Sequence, residues 1–274
     1  AHIGLPLDVQ RGAVDADSIW AQPELGSYPA WRTGPDPDAV TAAAAALKAA
    51  KRPVVVCGGG VVIAGAEAEL RSLAEQLGMP VATTISGQGS IAENHPLAVG
   101  VVGSNGGTPM TREIVDAADL VVFIGCRAGS VTTEKWSMPK RGTPIIHIDS
   151  DPAVIAVSYR TEGVLVGDAK LALRALLAAL PEAGPAERRE AAEARVRDVK
   201  QRKFAAFQAL AEENAAPIRP ERVVATLRDL LDDEAVIVAD PGTPCPYFSA
   251  YYEQRRPGRH FITNRAHGAL GYSL

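Results

Sequence analysis

Glycine-rich and polar segments follow several apolar runs of this sequence, and they are the residues best suited to hold a phosphorylated ligand. Gly58, Gly59 and Gly60 follow the run 53–57, and Gly125 and Arg127 follow the run 120–124. Comparable segments carry Ser86, Gly103, Ser104, Asp149 and Asp168. Glycine lets a backbone approach a ligand closely, N–H groups at a helix start attract phosphate, and arginine can clamp phosphate oxygens. The chemistry that these residues suggest is nucleotide binding.

Each of these residues also has a purely structural interpretation. A glycine can serve a tight chain reversal, Arg127 can form a surface salt bridge, and Asp149 can cap the following helix. Residues 58–63 do not form GxGxxG, because Val61, Val62 and Ile63 follow the glycines. No acidic residue ends the second predicted strand, where it would hold a ribose, so an ordinary NAD dehydrogenase is disfavoured.

No arrangement of a nucleophile with a base is recognisable in the sequence. His95 reads as a turn residue and His147 as a core histidine within an apolar strand, whereas His267 could face a ligand from a loop. The three cysteines are far apart, with neither zinc-binding spacing nor a disulfide framework. We therefore predict no catalytic residue and no metal ligand in this chain.

The positioning elements alternate between strand and helix, which is typical of a doubly wound parallel sheet in an α/β protein. Apolar runs predict six strands at 53–57, 81–84, 99–102, 120–124, 145–148 and 164–166. Helical periodicity covers 40–51, 66–77, 111–118 and 169–180. A polar helix at about 186–213 reads as solvated, and the alternation then restarts with a helix over 220–231 and strands over 235–239 and 261–263. Ligands bind outside the carboxyl ends of such strands, where the glycine-rich segments lie.

Composition narrows the class of protein. The 274 residues are 47% hydrophobic and 22% charged, the balance of a globular protein, and the formal net charge of −4 gives no attraction to nucleic acid or anionic membranes. No apolar run reaches the roughly 18 residues that a transmembrane helix needs. The chain begins at Ala1 without a signal peptide. Both ends interrupt expected elements, a strand over residues 2–7 and a helix that begins within residues 271–274, so we expect a cytoplasmic fragment of a longer protein.

Short motifs occur in a fixed order along nearly the whole chain. They are residues 2–10 (IxxPxDVQ), 52–60, 87–103 (GxGxxxxxHPLxxGxxG), 118–127 (Ala-Asp, apolar run, GxR), 148–149, 167–169, 240–242 and 268–272. This ordered set resembles thiamine-diphosphate-dependent enzymes of the acetolactate synthase, pyruvate oxidase and decarboxylase type. The match departs from acetolactate synthase at residues 104–106, usually Met-His-Gly, and at 240–244, usually DVGQH.

The resemblance implies a domain organisation. Residues 1–14 would end a pyrimidine-binding domain, 15–37 would be a linker, and 38–181 a central domain of the DHS-like NAD/FAD-binding type. Residues 182–217 would be a linker helix, and 218–274 the truncated start of a diphosphate-binding domain. The family's activating glutamate and its magnesium-binding GDG…N motif would lie outside this chain, so we expect no catalysis by the chain alone.

The resemblance also implies ligands for particular residues. Gly242, Thr243, Pro244, Gly268 and Leu270 correspond to positions that contact thiamine diphosphate, with Leu270 propping the cofactor in its bent form. The segments used for FAD, or for ADP in oxalyl-CoA decarboxylase, correspond to Gly58, Gly59, Gly60, Ser86, Gly103, Ser104, Gly125, Arg127, Asp149 and Asp168. Several decarboxylases of the family bind nothing there.

The implied parent enzyme uses thiamine diphosphate and Mg²⁺, decarboxylates a 2-keto acid such as pyruvate and transfers the two-carbon unit. Alternatives are a 2-keto-acid or oxalyl-CoA-type decarboxylase or carboligase, and a nucleotide-binding module without thiamine chemistry. The family forms its thiamine sites between two chains, so a homodimer or homotetramer of the parent is expected.

Overall fold

The computed structural model describes residues 2–26, 29–180, 182–265 and 267–273. Ala1, Leu274 and the expected domain boundary at Pro181 lie outside these residues. The chain divides into two units, residues 1–31 and 32–274. This division does not test the domain boundaries expected above, which stay predictions.

The first unit contains one short helix, α1 (Leu7–Gln10), and 3₁₀ turns at Ala16–Ser18 and Pro23–Gly26. The sequence predicted a strand remnant over residues 2–7, and this was wrong: residues 2–6 have no regular structure. A strand needs a partner for its backbone hydrogen bonds, and an isolated apolar run does not supply one.

The second unit is built on a six-stranded parallel sheet, which confirms the predicted fold class. Its strands are β1 (Pro53–Cys57), β2 (Val81–Thr83), β3 (Ala98–Val101), β4 (Leu120–Ile124), β5 (Ile145–Asp149) and β6 (Gly163–Val166). Their spatial order is β3-β2-β1-β4-β5-β6, and all neighbours are parallel. A separate two-stranded parallel sheet pairs β7 (Ile237–Val238) with β8 (Phe261–Ile262). The chain thus contains both α/β parts that the sequence predicted.

The described residues of this unit also form eight helices. They are α2 (Pro37–Ala49), α3 (Gly59–Ala64), α4 (Glu67–Leu77), α5 (Pro109–Asp116), α6 (Ala169–Ala179), α7 (Ala186–Ala211), α8 (Pro220–Leu230) and α9 (Pro244–Tyr251). In the part of the chain described, no helix has the length and apolar character needed to cross a membrane.

Alternate side chains of β1 pack on opposite faces of the sheet. Val55 and Cys57 belong to one buried cluster, and Val54 and Val56 belong to another. Because both faces are covered, the strand needs apolar residues throughout rather than alternating polar ones. Burial of each valine contributes about 1.5–3 kcal/mol, so the sheet holds its loops on a rigid base.

Two helices were missed because their sequences do not show helical periodicity. Helix α3 starts with two glycines followed by β-branched residues, a pattern that favours a loop or strand. Helix α9 has Pro244 and Pro246 in its first turn, where proline is tolerated because those N–H groups need no intrahelical partner. Sequence propensity alone therefore gave no helix at either place.

Helix α7 was expected to be a solvated connection, but one of its faces is buried. Ala192 packs in the first cluster, Val196 and Val199 in the second, and Phe207 and Ala211 in a third. Together with the buried Lys203, these residues recur every three or four positions and form one stripe, while the other face of the helix is rich in charged residues. The third cluster joins Ile85 and Val101 of the first sheet region to residues that follow α7, such as Cys245.

Candidate functional site

The strand order reverses between β1 and β4, and this is where an open parallel sheet forms a ligand crevice. The chain leaves β1 toward β2 on one side, whereas β4 has β5 on its other side. The segments that follow β1 and β4 therefore face each other at the carboxyl edge. They are residues 58–60 and 125–127, two of the segments that the sequence singled out.

A cavity of about 450 Å³ lies at this edge. Its lining consists of Gly58, Gly59, Thr84, Ser86, Gly125, Cys126, Arg127, Gly129, Ser130, Val131 and Thr132. Ligand pockets for small molecules commonly span about 300–1,000 Å³, so this space suits a nucleotide or part of a dinucleotide. The structure therefore brings Gly58, Gly59, Ser86, Gly125 and Arg127 together in one cavity.

The glycines of this cavity allow two backbones to touch. A Cβ added to Gly60 would come within 2.6 Å of the Cα of Gly125. The N–H of Gly58 donates to Ile124 O over 2.8 Å, and that of Gly60 donates to Gly125 O over 3.2 Å. Close chain approach thus accounts for Gly58, Gly60 and Gly125, and it leaves a wall without side chains beside the cavity.

Arg127 provides the charge at this site. Its side chain is exposed, and in the described residues its guanidinium forms no hydrogen bond or ion pair. An arginine without a protein partner can bind phosphate oxygens through two parallel N–H groups. This geometry favours the phosphate-clamp interpretation over the surface salt bridge.

Cys126 lines the cavity, His147 is bonded to the Cys126 backbone, and neither side chain offers a nucleophile. Burial raises the pKa of the Cys126 thiol to about 11, so it stays protonated. His147 Nε2 lies 2.8 Å from the Cys126 carbonyl oxygen, which can only accept, so Nε2 carries the proton. Burial lowers the pKa of His147, which keeps the ring neutral. His147 is thus the packed core histidine that the sequence predicted.

A second group of predicted site residues lies around β7 and the segment after β8. Leu270 is 74% exposed, and a Cβ on Gly242 would come 3.3 Å from its Cδ2 atom. Asp240 accepts hydrogen bonds from Gly271 N over 2.7 Å and from the Ser273 hydroxyl over 2.7 Å. These bonds lower the pKa of Asp240, with the Gly271 N–H as the largest cause.

These contacts hold the Leu270 segment against the loop that begins α9. Thr243 precedes that helix, and Pro244 is its first residue. Gly268 has a φ of +63°, in the left-handed region that favours glycine. Gly242 and Leu270 are neighbours, and their contact with thiamine diphosphate stays a prediction.

Comparison with known proteins identifies the family. Residues 40–176 match the sequence profile of the thiamine pyrophosphate enzyme central domain, which is half of the chain. The chain belongs to the thiamine pyrophosphate enzymes. The matched residues span all six strands of the first sheet, so this sheet is the family's central domain.

The curated relatives include acetolactate synthase large subunits and a glyoxylate carboligase. A probable acetolactate synthase large subunit of Methanocaldococcus jannaschii is 34% identical over all of this chain and 46% of its own length. The acetolactate synthase isozyme 3 large subunit of Escherichia coli K12 is 28% identical, over 99% of the chain and 47% of its own length. A glyoxylate carboligase of Escherichia coli O157:H7 is 29% identical, over 99% of the chain and 45% of its own length. The chain spans about half the length of these relatives.

Two aspartates that were predicted to bind the nucleotide have partners within the protein. Asp168 caps α6 by accepting from the N–H groups of Lys170 and Leu171, and its carboxylate lies 3.2 Å from Arg32. Asp149 accepts from Asp151 N over 3.0 Å. Neither aspartate lines the cavity, and their role in nucleotide binding stays a prediction.

Gly103 and Ser104 do not line the cavity, but they contact Val131, which does. Ser104 N donates to Val131 O over 2.8 Å, and a Cβ on Gly103 would come within 2.5 Å of that same oxygen. They support residues 129–132, which sequence analysis did not single out as part of the site. Residues 129–133 combine small and hydroxyl side chains directly after Arg127, and this composition was the available signal.

The buried charged residues Glu93 and Lys203 were not predicted from the sequence. Burial raises the pKa of Glu93 to about 7 and lowers that of Lys203 to about 8, although each charge stabilises the other. Lys200 donates to the backbone oxygen of Glu93, and its Nζ lies 3.8 Å from Glu253. No periodicity or motif marks Glu93. Glutamate is almost always solvent-exposed, so the sequence predicted no burial there.

The expected cofactors fit this part of a thiamine pyrophosphate enzyme to different degrees. The cavity offers a glycine wall and an unpaired arginine for the phosphates of FAD or ADP. The exposed Leu270 beside Gly242 offers an apolar contact for thiamine diphosphate. Within the ranges that the structure describes, no group of three or more histidine, cysteine or acidic side chains could hold a metal ion. These residues therefore do not fit Mg²⁺, and no step here is derived through it.

Proposed function

We propose that this chain is part of an acetolactate-synthase-like enzyme that decarboxylates a 2-keto acid and transfers the two-carbon unit. In this proposal the cavity beside Arg127 binds the phosphates of FAD or ADP, and residues 242–244 with Leu270 contact thiamine diphosphate. The proposal includes a cytoplasmic homodimer or homotetramer. Thiamine diphosphate, when bound, supplies the carbon nucleophile and electron sink for decarboxylation.

The observation that carries the nucleotide part is the position of an unpaired arginine at the strand-order reversal. Arg127 lines the same cavity as Gly58 and Gly59. A guanidinium there can neutralise a diphosphate while the glycine wall lets it approach. The role of this chain is then to bind and orient a nucleotide.

For the thiamine part, the chain's own residues would orient the cofactor. Leu270 would pack an apolar surface against it, and the contact with Gly242 would fix the position of that side chain. Asp240 would keep the segment in place through its hydrogen bonds to Gly271 and Ser273. The names of the acetolactate synthase relatives support the choice of reaction.

The direct test is titration of the chain with FAD and with ADP, followed by flavin fluorescence and melting temperature. We expect saturable binding of at least one nucleotide, and a loss of at least about tenfold in affinity (about 1.4 kcal/mol) for Arg127→Ala. Arg141→Ala is the matched control, because Arg141 is also exposed but is not in the cavity lining. Failure of the folded chain to bind either nucleotide would reject the nucleotide part.

A carboligase is the second candidate function, supported by the 29% identity with a glyoxylate carboligase. The family match covers only the central domain, so it does not separate these two functions. The protein that carries this chain should be assayed with pyruvate and with glyoxylate, thiamine diphosphate and Mg²⁺. Product formed from glyoxylate but not pyruvate would favour this candidate.

A further inference from the structure

The segment that closes the nucleotide cavity has an unusual backbone. We call residues 128–138 the cavity strap, because residues 129–132 of this segment line the cavity. Ala128, Glu134, Lys135 and Trp136 have φ values between +48° and +61°. Non-glycine residues rarely adopt this left-handed region, and three in succession are much rarer. Such a segment keeps its conformation only where surrounding contacts fix it.

Arg112 of α5 provides those contacts. Its Nη1 donates to the carboxylate of Glu134 and to Ser137 Oγ, the latter over 3.1 Å. Its Nη2 donates to the Ser137 carbonyl oxygen over 3.0 Å, and its Nε donates to Asp116 Oδ2 over 3.0 Å. One guanidinium therefore joins helix α5 to both ends of the left-handed turn.

Hydrogen bonds also connect this left-handed turn to residues that line the cavity. Lys135 N donates to Ser130 O over 2.7 Å, and Thr133 Oγ1 donates to Gly129 O over 2.9 Å. Ser130 and Gly129 both line the cavity. Arg112 is thus linked to the cavity by hydrogen bonds at both ends of the chain segment 133–137, although Arg112 itself is not among the lining residues.

We propose that Arg112 is a positioning residue for nucleotide binding: it fixes the cavity strap so that residues 129–132 form the wall that faces the ligand. The ligand class is a nucleotide with a diphosphate, so the inference rests on the proposed function. Arg112 acts only through the strap, whereas Arg127 acts on the ligand directly.

The test compares Arg112, which lies on α5, with Arg202, which forms an ion pair with α5. Arg112→Ala removes the strap contacts, and Arg202→Ala removes a similar fork, since Arg202 donates to both carboxylate oxygens of Glu113 on α5. Arg112→Lys keeps the charge but cannot bridge three partners. For each variant, amide hydrogen exchange of residues 128–138 is measured without ligand, and FAD and ADP affinities are measured by titration.

We expect Arg112→Ala to speed exchange in the strap and to weaken nucleotide binding about tenfold, with a smaller loss for Arg112→Lys. Arg202→Ala should change affinity less than about twofold and leave strap exchange as in the wild type. Unchanged strap exchange and affinity in Arg112→Ala, or an equal effect of Arg202→Ala, would overturn the inference.

The exchange measurement also separates this inference from the proposed function. If the wild-type chain binds neither nucleotide, the proposed nucleotide role fails, and the inference of a nucleotide-positioning role fails with it. Faster strap exchange in Arg112→Ala would then still assign the strap contact to Arg112. If the wild type binds and only the Arg127 variant loses affinity, the proposed function stands and the role of Arg112 is rejected.

Discussion

Gly58 and Gly125 lie so close that a Cβ on Gly58 would come within 2.0 Å of the Gly125 carbonyl oxygen. This contact joins the end of β1 to the end of β4 at the reversal of strand order. It leaves no room for any side chain at position 58 and fixes the width of the cavity between the two strands.

Gly58→Ala should therefore destabilise the chain and deform the cavity. The clash is with backbone, so relief requires one strand end to move, and we expect a loss of about 1–3 kcal/mol in the free energy of unfolding. Urea denaturation measures this loss. Gly129→Ala is the control, because that position also lines the cavity but a Cβ there would meet nothing within 4 Å. Equal stability of the two variants would contradict the prediction.

The buried Glu93 should make stability fall as the pH rises from about 5 to 7. Folded Glu93, with a pKa of about 7, retains a proton that the unfolded chain loses near pH 4.5. The contribution of Glu93 to the free energy of unfolding is fully present below its pKa in the unfolded chain. It is lost as the pH rises to its pKa in the folded chain. The slope approaches about 1.4 kcal/mol per pH unit.

Glu93→Gln removes this titration. The free energy of unfolding of the variant minus that of the wild type should therefore rise by up to about 2 kcal/mol between pH 5 and 7. Chemical denaturation at several pH values gives the difference, and Glu190→Gln on the exposed face of α7 serves as the control. A wild-type and variant difference that is constant with pH would show that Glu93 does not hold this proton. Lys203, whose pKa is lowered, titrates mainly above this window.

Asp168 allows a helix cap to be separated from a ligand contact. Asp168→Ala should cost about 1–2 kcal/mol, because two N–H groups of α6 lose their acceptor and Arg32 loses its ion-pair partner. Asp168→Asn should cost less, since asparagine also caps helices. If FAD or ADP affinity falls in the asparagine variant while stability holds, the predicted contact with the nucleotide gains support. Unchanged affinity would leave Asp168 as a cap only.

Phe207 offers a test of the third buried cluster. Its ring stacks on Tyr251 with centroids 4.5 Å apart, and only 5% of the residue is exposed. Phe207→Ala should lower the free energy of unfolding by about 3–5 kcal/mol. Gln208→Ala, at the next and exposed position, should change it by less than about 0.5 kcal/mol. Similar values for the two variants would argue against a buried α7.

The sheet could be predicted from the sequence because its strands are uniformly apolar. Strands β1 and β4 have the same bounds in the sequence prediction and in the structure, and the other strands differ by few residues. The glycine segments around the reversal of strand order could also be predicted, because ligand crevices form at the carboxyl ends of parallel strands.

The cavity strap could not be predicted, because its backbone depends on distant contacts such as that between Arg112 and Glu134. The same is true of Lys203, whose burial depends on how α7 packs. Local sequence carries no signal for the left-handed backbone of the strap or for the burial of Lys203, since left-handed residues other than glycine are rare and lysine favours solvent.

The packing of α7 has a consequence for how this protein can be divided. A single helix contributes side chains to all three buried clusters, from Ala192 at one end to Ala211 at the other. A recombinant piece that contained the six-stranded sheet but stopped before Ala186 would expose the surfaces that Ala192, Val196 and Val199 cover. Anyone who wishes to express that piece separately should retain the helix, and should expect its loss to appear first as aggregation.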